Sequence, residues 1–266
     1  MLERTIEDNC FKVDEAYGGG KAAPMDGSAE LNLGCIPGVG TVYGGARAAT
    51  VNNNVVLTIT NGTFNKVFGG NNEAGTINGT ITLNIEETGC TPIVIGQLYG
   101  GGNLAAYTAP TGENGPTLNI KSFTSIGEVY GGGYSADVTG NVHVNINEVV
   151  GKQAATVNGY PKDAQNQDVT SLDGVAIPTH TKDAIGAIRV VYGGGYGADV
   201  IGDVEVNIGT AETIDYVSMA SGETEPRTGI TVEGANFSCS IYGGGNGAPT
   251  TVTGDVKVNV GGQKDD

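Results

Sequence analysis

Nine residues, Gly194 to Gly202, read GGYGADVIG and fill every fixed position of the calcium-binding nonapeptide GGxGxDxUx, with Asp199 as the carboxylate for the ion. That chemistry holds each ion between tandem nine-residue turns. The nearest relative, GGYSADVTG at Gly132 to Gly140, lies 62 residues upstream and has Ser135 and Thr139 where a glycine and an apolar residue are required. Asp199 thus stands as an isolated calcium candidate, and no metal site is expected. The glycine triples at 18–20, 100–102, 131–133, 193–195 and 243–245 suggest phosphate loops. None runs on to GK[ST] or completes GxGxxG, and no helix pattern follows to lend its N-terminus, so phosphate chemistry is set aside.

Acid–base attack on a polysaccharide needs two carboxylates about 5 to 9 Å apart, or a Lys or Arg base beside clustered Asp residues. Glu30, Glu205 and Lys257 fall at equivalent places in a repeat, but the two carboxylates, Glu30 and Glu205, stand in the first and sixth of its seven copies. No GxSxG elbow and no Cys–His pairing offers a nucleophile. Cys10, Cys35, Cys90 and Cys239 form no CxxC, and only His143 and His180 could join them, which leaves zinc unsupported. The chain is expected not to be an enzyme and to carry no cofactor.

Charge narrows the partners. The 266 residues hold 13 Lys and Arg against 29 Asp and Glu, a formal net charge of -16. Binding to phosphate backbones takes clustered cations, so no nucleic-acid partner is expected, and the acidic surface reads as a solvated one. No run approaches the roughly 18 apolar residues of a membrane span, so no membrane insertion is expected. MLERTIEDNC lacks the apolar stretch of a secretory signal. The chain reads as cytoplasmic as written, or as a mature or excised piece of an exported protein. Its 46 glycines, absent tryptophan and 38% hydrophobic residues describe a chain too apolar for disorder and poor in large core residues.

Self-similarity explains that composition. An aromatic residue followed by two glycines occurs seven times, at Tyr17, Tyr43, Phe68, Tyr99, Tyr130, Tyr192 and Tyr242. A third glycine follows in five copies, with Ala46 and Asn71 in the others. Six residues past each anchor stands an alanine: Ala23, Ala49, Ala74, Ala105, Ala136, Ala198 and Ala248. Each copy closes on an alternating run such as VHVNI (Val142 to Ile146), a strand signature whose asparagine column is broken only by Thr58. Two residues before that run only Gly or Asn occurs (Gly27, Asn53, Gly79, Asn114, Gly140, Gly202, Gly254), which predicts a left-handed corner. Four residues before the anchor an apolar column runs from Val13 to Ile188, and Ser238 breaks it.

Circuits of 25 or 26 residues in the compact copies leave room only for short strands and tight corners. They predict an all-β chain: a single-stranded parallel β-helix of about seven coils, right-handed by the usual preference, in one domain over 1–266. At about 4.8 Å per coil the rod would be on the order of 30 Å long. Alanines and aliphatics would fill the interior, and the aromatic rings would stack. Phe68 keeps the pattern without a hydroxyl, so the ring is what the column requires. The asparagines would form an amide ladder facing out, beside the mixed column Glu30, Val56, Thr82, Thr117, His143, Glu205 and Lys257. Cys10 and Cys35 would lie level in adjacent coils, as a disulfide or as two small buried thiols.

Two insertions, about 147–187 and 209–237, leave the coil at one equivalent point and should emerge side by side. They hold Tyr160, Asp163, Asp168, Asp173, His180, Tyr216 and Glu223. Of these, Tyr160, Asp168, Asp173, His180 and Tyr216 are the candidate residues for binding a sugar or a protein, the alternative being loops that merely shield one flank.

The consensus ΦYGGGxxAxVxGxVxVNI resembles the tandem repeats of large adhesin-like surface proteins of gut bacteria, and more distantly the β-helical passenger regions of autotransporters. The resemblance covers all seven copies and omits both insertions. It implies an elongated, non-catalytic module, extracellular or at the bacterial cell surface, flanked by further repeats and meeting host or microbial glycans or surface proteins. The alternative is a carbohydrate-active β-helix enzyme, a polysaccharide lyase or hydrolase.

Overall fold

The computed structural model describes residues 13–34, 36, 38–88, 91–146, 159–163, 165–179, 186–209, 212–214, 230–232 and 236–260, the segments between 210 and 239 by backbone alone. The described chain is all-β and contains no helix. Successive strands alternate between two parallel sheets of seven strands each. The first comprises Val13–Tyr17, Gly38–Tyr43, Gly62–Phe68, Ile93–Tyr99, Ser125–Tyr130, Ala187–Tyr192 and Asn236–Tyr242. The second comprises Ala29–Leu33, Val55–Ile59, Ile81–Glu86, Thr117–Ser122, Val142–Ile146, Val204–Ile208 and Val256–Val260. Strand order in both sheets follows the chain, so each pass adds one strand to each sheet, and we call one pass a layer. A shorter parallel ladder joins Tyr107–Thr108, Val138–Thr139 and Val200–Ile201 and is extended by a bridge from Val200 to Val252, while Met25, Val51 and Ile77 are bridged in turn at the equivalent place in the first three layers.

Register is strict because one face of every strand is buried, and a slip of one residue would turn that face out. Val55, Leu57 and Ile59 pair with Ile81, Leu83 and Ile85, and the same columns continue to Val204, Val206 and Ile208. These side chains, with Val42, Val67, Leu98, Val129 and Val191 of the first sheet and Val51, Ile77, Tyr107, Val138 and Val200 of the short ladder, make one core. Ser238 interrupts its column for a local reason. The last strand of the first sheet carries one extra residue, so that Phe237 stands opposite Ile188 and Ser240 opposite Val190.

The glycines are required by closeness rather than by a left-handed backbone. None of the glycine triples has positive φ. A Cβ on the first glycine of a layer would lie 2.1–2.6 Å from the carbonyl oxygen of the equivalent glycine one layer on, from Gly18 against Gly44 through Gly193 against Gly243. The second sheet presses on the same spot: at Gly100 the Cβ would also lie 2.7 Å from Leu118 Cδ1. The parallel ladder runs straight through, with Gly100 N–H donating to Tyr130 O and Gly131 N–H to Tyr192 O. These amides are consumed within the stack. The third glycine lies under the alanine carbonyl three residues on, at 2.2–2.5 Å from its virtual Cβ in Gly20, Gly102, Gly133 and Gly195. Where Asn71 replaces that glycine, its buried amide accepts from Ala46 N–H (2.7 Å) and donates to Ala49 O (3.0 Å).

Two expectations need correction. Of the Gly/Asn corner column, only Gly140 (φ 130°) and Gly202 (φ 151°) have positive φ. At Gly79 and Gly254 the cause is space, since a Cβ would lie 2.5 Å from the backbone carbon of Asn53 and of Gly202 respectively. The alanine column is buried at Ala49, Ala105, Ala136 and Ala198 but exposed at Ala23, Ala74 and Ala248, so volume alone does not account for it. Cys10, Cys35 and Cys90 lie outside the described residues, as does the Cys10–Cys35 pairing.

Both side-chain ladders form. The seven anchor rings stack at 4.8–5.1 Å with interplanar angles of 5–10°. Such pairs contribute on the order of 0.5–1.5 kcal/mol each beyond their buried area. The asparagine amides link Asn119 to Asn84 (3.1 Å), Asn145 to Asn119 (3.2 Å), Asn207 to Asn145 (3.0 Å) and Asn259 to Asn207 (2.6 Å), on the half-exposed outer face of the second sheet.

Tyr99 is fully buried and its hydroxyl has no hydrogen-bond partner. Tyr99→Phe should therefore be neutral or stabilising, because a buried unsatisfied hydroxyl costs about 1–3 kcal/mol. Tyr99→Ala should destabilise by about 3–5 kcal/mol. Urea unfolding of both variants checks the pair, and equal losses would show that the hydroxyl is used.

Candidate functional site

Alternation breaks once in each of the four central strands of the first sheet. Ile95 and Leu98 both join the core, as do Phe64 and Val67, Ile126 and Val129, and Ile188 and Val191, three residues apart in each case. The two residues between them are not part of that cluster, and this puts Lys66, Gln97, Glu128 and Val190 in register across four strands, Gln97 and Val190 still buried. Glu128 is the hub of this outer face. Its Oε2 accepts from Gln97 Nε2 (2.7 Å) and Tyr130 OH (2.9 Å), and its Oε1 pairs with the Arg189 guanidinium. With both oxygens engaged, Glu128 serves to hold the face together and is poorly placed to shuttle a proton.

The residues four past the anchors add a shelf. Tyr134 and Tyr196 stack on each other with centroids 4.9 Å apart, and stand edge-on to Tyr99 and Tyr130 at 5.6 Å. The Lys66 ammonium lies 5.3 Å from the Tyr134 ring centroid, a cation–π distance. Tyr196 is exposed and Tyr134 half-buried. An accessible aromatic pair beside an ammonium can hold a sugar ring by stacking and a carboxylate or hydroxyl by charge.

Part of the first insertion folds back over this sheet. The hairpin Ser171–Leu172 and Val175–Ala176 turns through Asp173 (φ 46°) and Gly174 (φ 78°), the Asp-Gly pair that a tight two-residue turn favours. It packs where the sheet has no side chains. A Cβ on Gly96 would lie 3.1 Å from Leu172 Cβ, and one on Gly127 2.7 Å from Val175 Cγ1. Asn65 Nδ2 donates to Asp173 Oδ1 (3.1 Å), Ser125 Oγ donates to Pro178 O (3.1 Å), and Ile177 is buried. Every residue of Ile93–Tyr99 is consequently buried.

The sequence-predicted binding residues do not converge. Asp173 is tied to the hairpin turn and Asn65. Asp168 pairs with Lys162 across a bridge, and Asp163 caps the intervening turn through Gln165 and Gln167 N–H. Tyr160 is half-buried beside buried Pro161. His180, Tyr216 and Glu223 lie outside the described residues. Asp199 accepts from Thr251 N–H (2.7 Å) and donates its own N–H to the Asp137 carboxylate (2.9 Å), so these aspartates bridge adjacent layers. Among the described residues no cluster of His, Cys, Asp or Glu is arranged to hold a metal ion. Sequence reasoning missed the Glu128 hub and the tyrosine shelf. Their signals were polar residues two before the anchors and a second tyrosine in only two of seven copies.

No protein-family model matches the chain, and neither the curated proteins nor the solved structures contain a match to it.

Burial lifts the hydroxyls of this region. Tyr107 is pushed up to about 12 by desolvation, with the Glu113 charge adding to it, and Tyr99 and Tyr130 are raised further by burial and then by neighbouring charges. Tyrosine is neutral in its protonated form, so these raised values contribute stability that is fully present below the unfolded value near 10.0. It is lost as pH rises from there through the folded values. Unfolding free energy should therefore fall steeply above about pH 10. Ultraviolet phenolate titration should show these tyrosines ionising only as the chain unfolds, and a titration complete in the folded state would contradict it.

Proposed function

We propose that this chain is a single-stranded parallel β-helix serving as a structural and adhesive solenoid of an exported bacterial surface protein. One observation supports the architecture most: strands that alternate between two parallel sheets stack the rings in register from Tyr17 to Tyr242, with the amide column from Asn84 to Asn259 and the aliphatic columns beside them. The resemblance of the YGGG consensus to adhesin-like repeats supports the surface role. Fully engaged structural columns leave few groups for chemistry, which favours a spacer over a catalyst.

On this reading the coils set a distance and the interruptions supply recognition. The ligand is a glycan with acidic or hydroxyl substituents, stacked on Tyr196 and Tyr134 with Lys66 beside them. The 147–187 insertion, through its hairpin against the first sheet, walls one side of that face.

Glycan-array binding by the wild type, by Tyr196→Ala and by a chain whose 147–186 insertion is replaced with a short linker tests the assignment. Binding that Tyr196→Ala lowers at least tenfold, with unchanged thermal stability, is expected from the loss of about 1.4 kcal/mol or more of stacking. Binding that Tyr196→Ala leaves intact and the insertion removes moves the site to the loop. Turnover of an acidic polysaccharide would overturn the non-catalytic reading.

A further inference from the structure

The column four residues past the anchors changes chemistry along the stack. From the third layer on it reads Asn72, Asn103, Tyr134, Tyr196 and Asn246. Its side chains lean toward earlier layers. Tyr134 stands edge-on to Tyr99 and Tyr196 to Tyr130, each one layer back. Asn72 Nδ2 donates to Tyr17 OH (2.7 Å) and Asn246 Nδ2 to Tyr130 OH (3.0 Å), each two layers back, and Asn103 Nδ2 donates to Asn72 Oδ1 (2.8 Å). These bonds orient each amide through its nitrogen. The side-chain oxygens of Asn103 and Asn246, one at each end of the tyrosine pair, have no donor among the described residues and are left as acceptors.

The neighbouring column thins where the rings appear. Beside Asn103, Tyr134, Tyr196 and Asn246 stand Leu104 (58% exposed), Ser135, Gly197 and Gly247. Around Gly197 the one described atom within 4 Å of a Cβ would be Tyr134 O, at 3.3 Å, so the pair is open along this flank. Lys66, in the layer of Phe68, brings a positive charge to the same rings: its ammonium lies against Tyr134 and forms no ion pair among the described residues. Glu128, two strands over in the same register, is already held by Arg189, Gln97 and Tyr130. An ammonium without a counter-charge, two rings and two unused acceptors thus lie along one line.

We propose that the tyrosine shelf takes a uronate-bearing glycan, laid along the stack axis with the carboxylate of one sugar on Lys66 and hydroxyls toward either end donating to the Asn103 and Asn246 oxygens. The proposal rests on reading the shelf as a glycan site and adds which glycan it selects and how it lies. Three layer steps separate Asn103 from Asn246, about 14 Å, the length of about three pyranose rings. Acceptors at the ends match sugar hydroxyls, which donate, and a single ammonium matches a singly charged carboxylate. The excess negative charge of the chain does not exclude such an anion, because charges more than about 8 Å away are largely screened at physiological salt and Lys66 decides the contact.

Titration calorimetry of the full chain with uronate oligosaccharides of increasing length, each beside its methyl ester, tests this. Each acid is expected to bind at least about threefold more tightly than its ester, the size of an exposed ion pair, and added salt should narrow the gap. Affinity should rise with length and level off near about three sugars. Lys66→Met, which keeps the stem and removes the charge, should make acid and ester equal with unchanged melting, and Lys66→Arg should restore the preference. A preference that survives Lys66→Met, an ester or a sulfated neutral glycan bound as well as the acid, or uronates that do not bind would overturn the carboxylate assignment; where Tyr196→Ala still weakens binding of another glycan, the shelf remains a glycan site. Binding that Tyr196→Ala leaves intact would remove the shelf reading, and this proposal with it.

Discussion

One spacing governs this molecule, the distance of about 4.8 Å between hydrogen-bonded parallel strands. Rings stacked at 4.8–5.1 Å, an asparagine ladder and aliphatic columns all follow from repeating that step with equivalent residues above one another. The glycines follow too. Where two backbone segments pass at this distance and the second sheet presses from the side, a carbonyl occupies the place a Cβ would need. The feature that reads most like a binding loop is therefore a packing requirement, and its N–H groups are spent on the layer above.

Much of the architecture was legible because period-two strands and a fixed-offset repeat leave few alternatives. The anchor column, the asparagine run and the apolar column read from sequence are the pairs found in the two sheets. The corner column was less transparent. Gly and Asn together suggest positive φ, but at Gly79 crowding by the preceding layer gives the same preference, and sequence cannot separate the two causes. Ser238 read as a broken column, whereas the strand absorbs it through an extra residue.

The candidate site was far less legible. Binding residues in the insertions were selected by side-chain type alone, and Asp163, Asp168 and Asp173 each serve local turns, a bridge or docking. What sequence could not show is that two core-facing residues three apart leave a pair between them off that core, so that Glu128 gathers Gln97 and Arg189 from the neighbouring strands and Tyr130 from its own. The tyrosine shelf arises the same way, from an offset that is Lys, Arg or Asn elsewhere in the repeat. Variation within a repeat, once the structural columns are removed, marks where a layered protein can carry recognition.

Cysteine cross-linking tests the layered stack most directly, in a background where Cys10, Cys35, Cys90 and Cys239 are replaced by serine. Asn145→Cys with Asn207→Cys, 62 residues apart but opposite one another, should oxidise to an intramolecular disulfide. Asn119→Cys with Asn207→Cys, two layers apart at about 9.6 Å, should not, since a disulfide spans Cα atoms up to roughly 7 Å apart. Equal cross-linking of both pairs, or none in the first, would contradict the account.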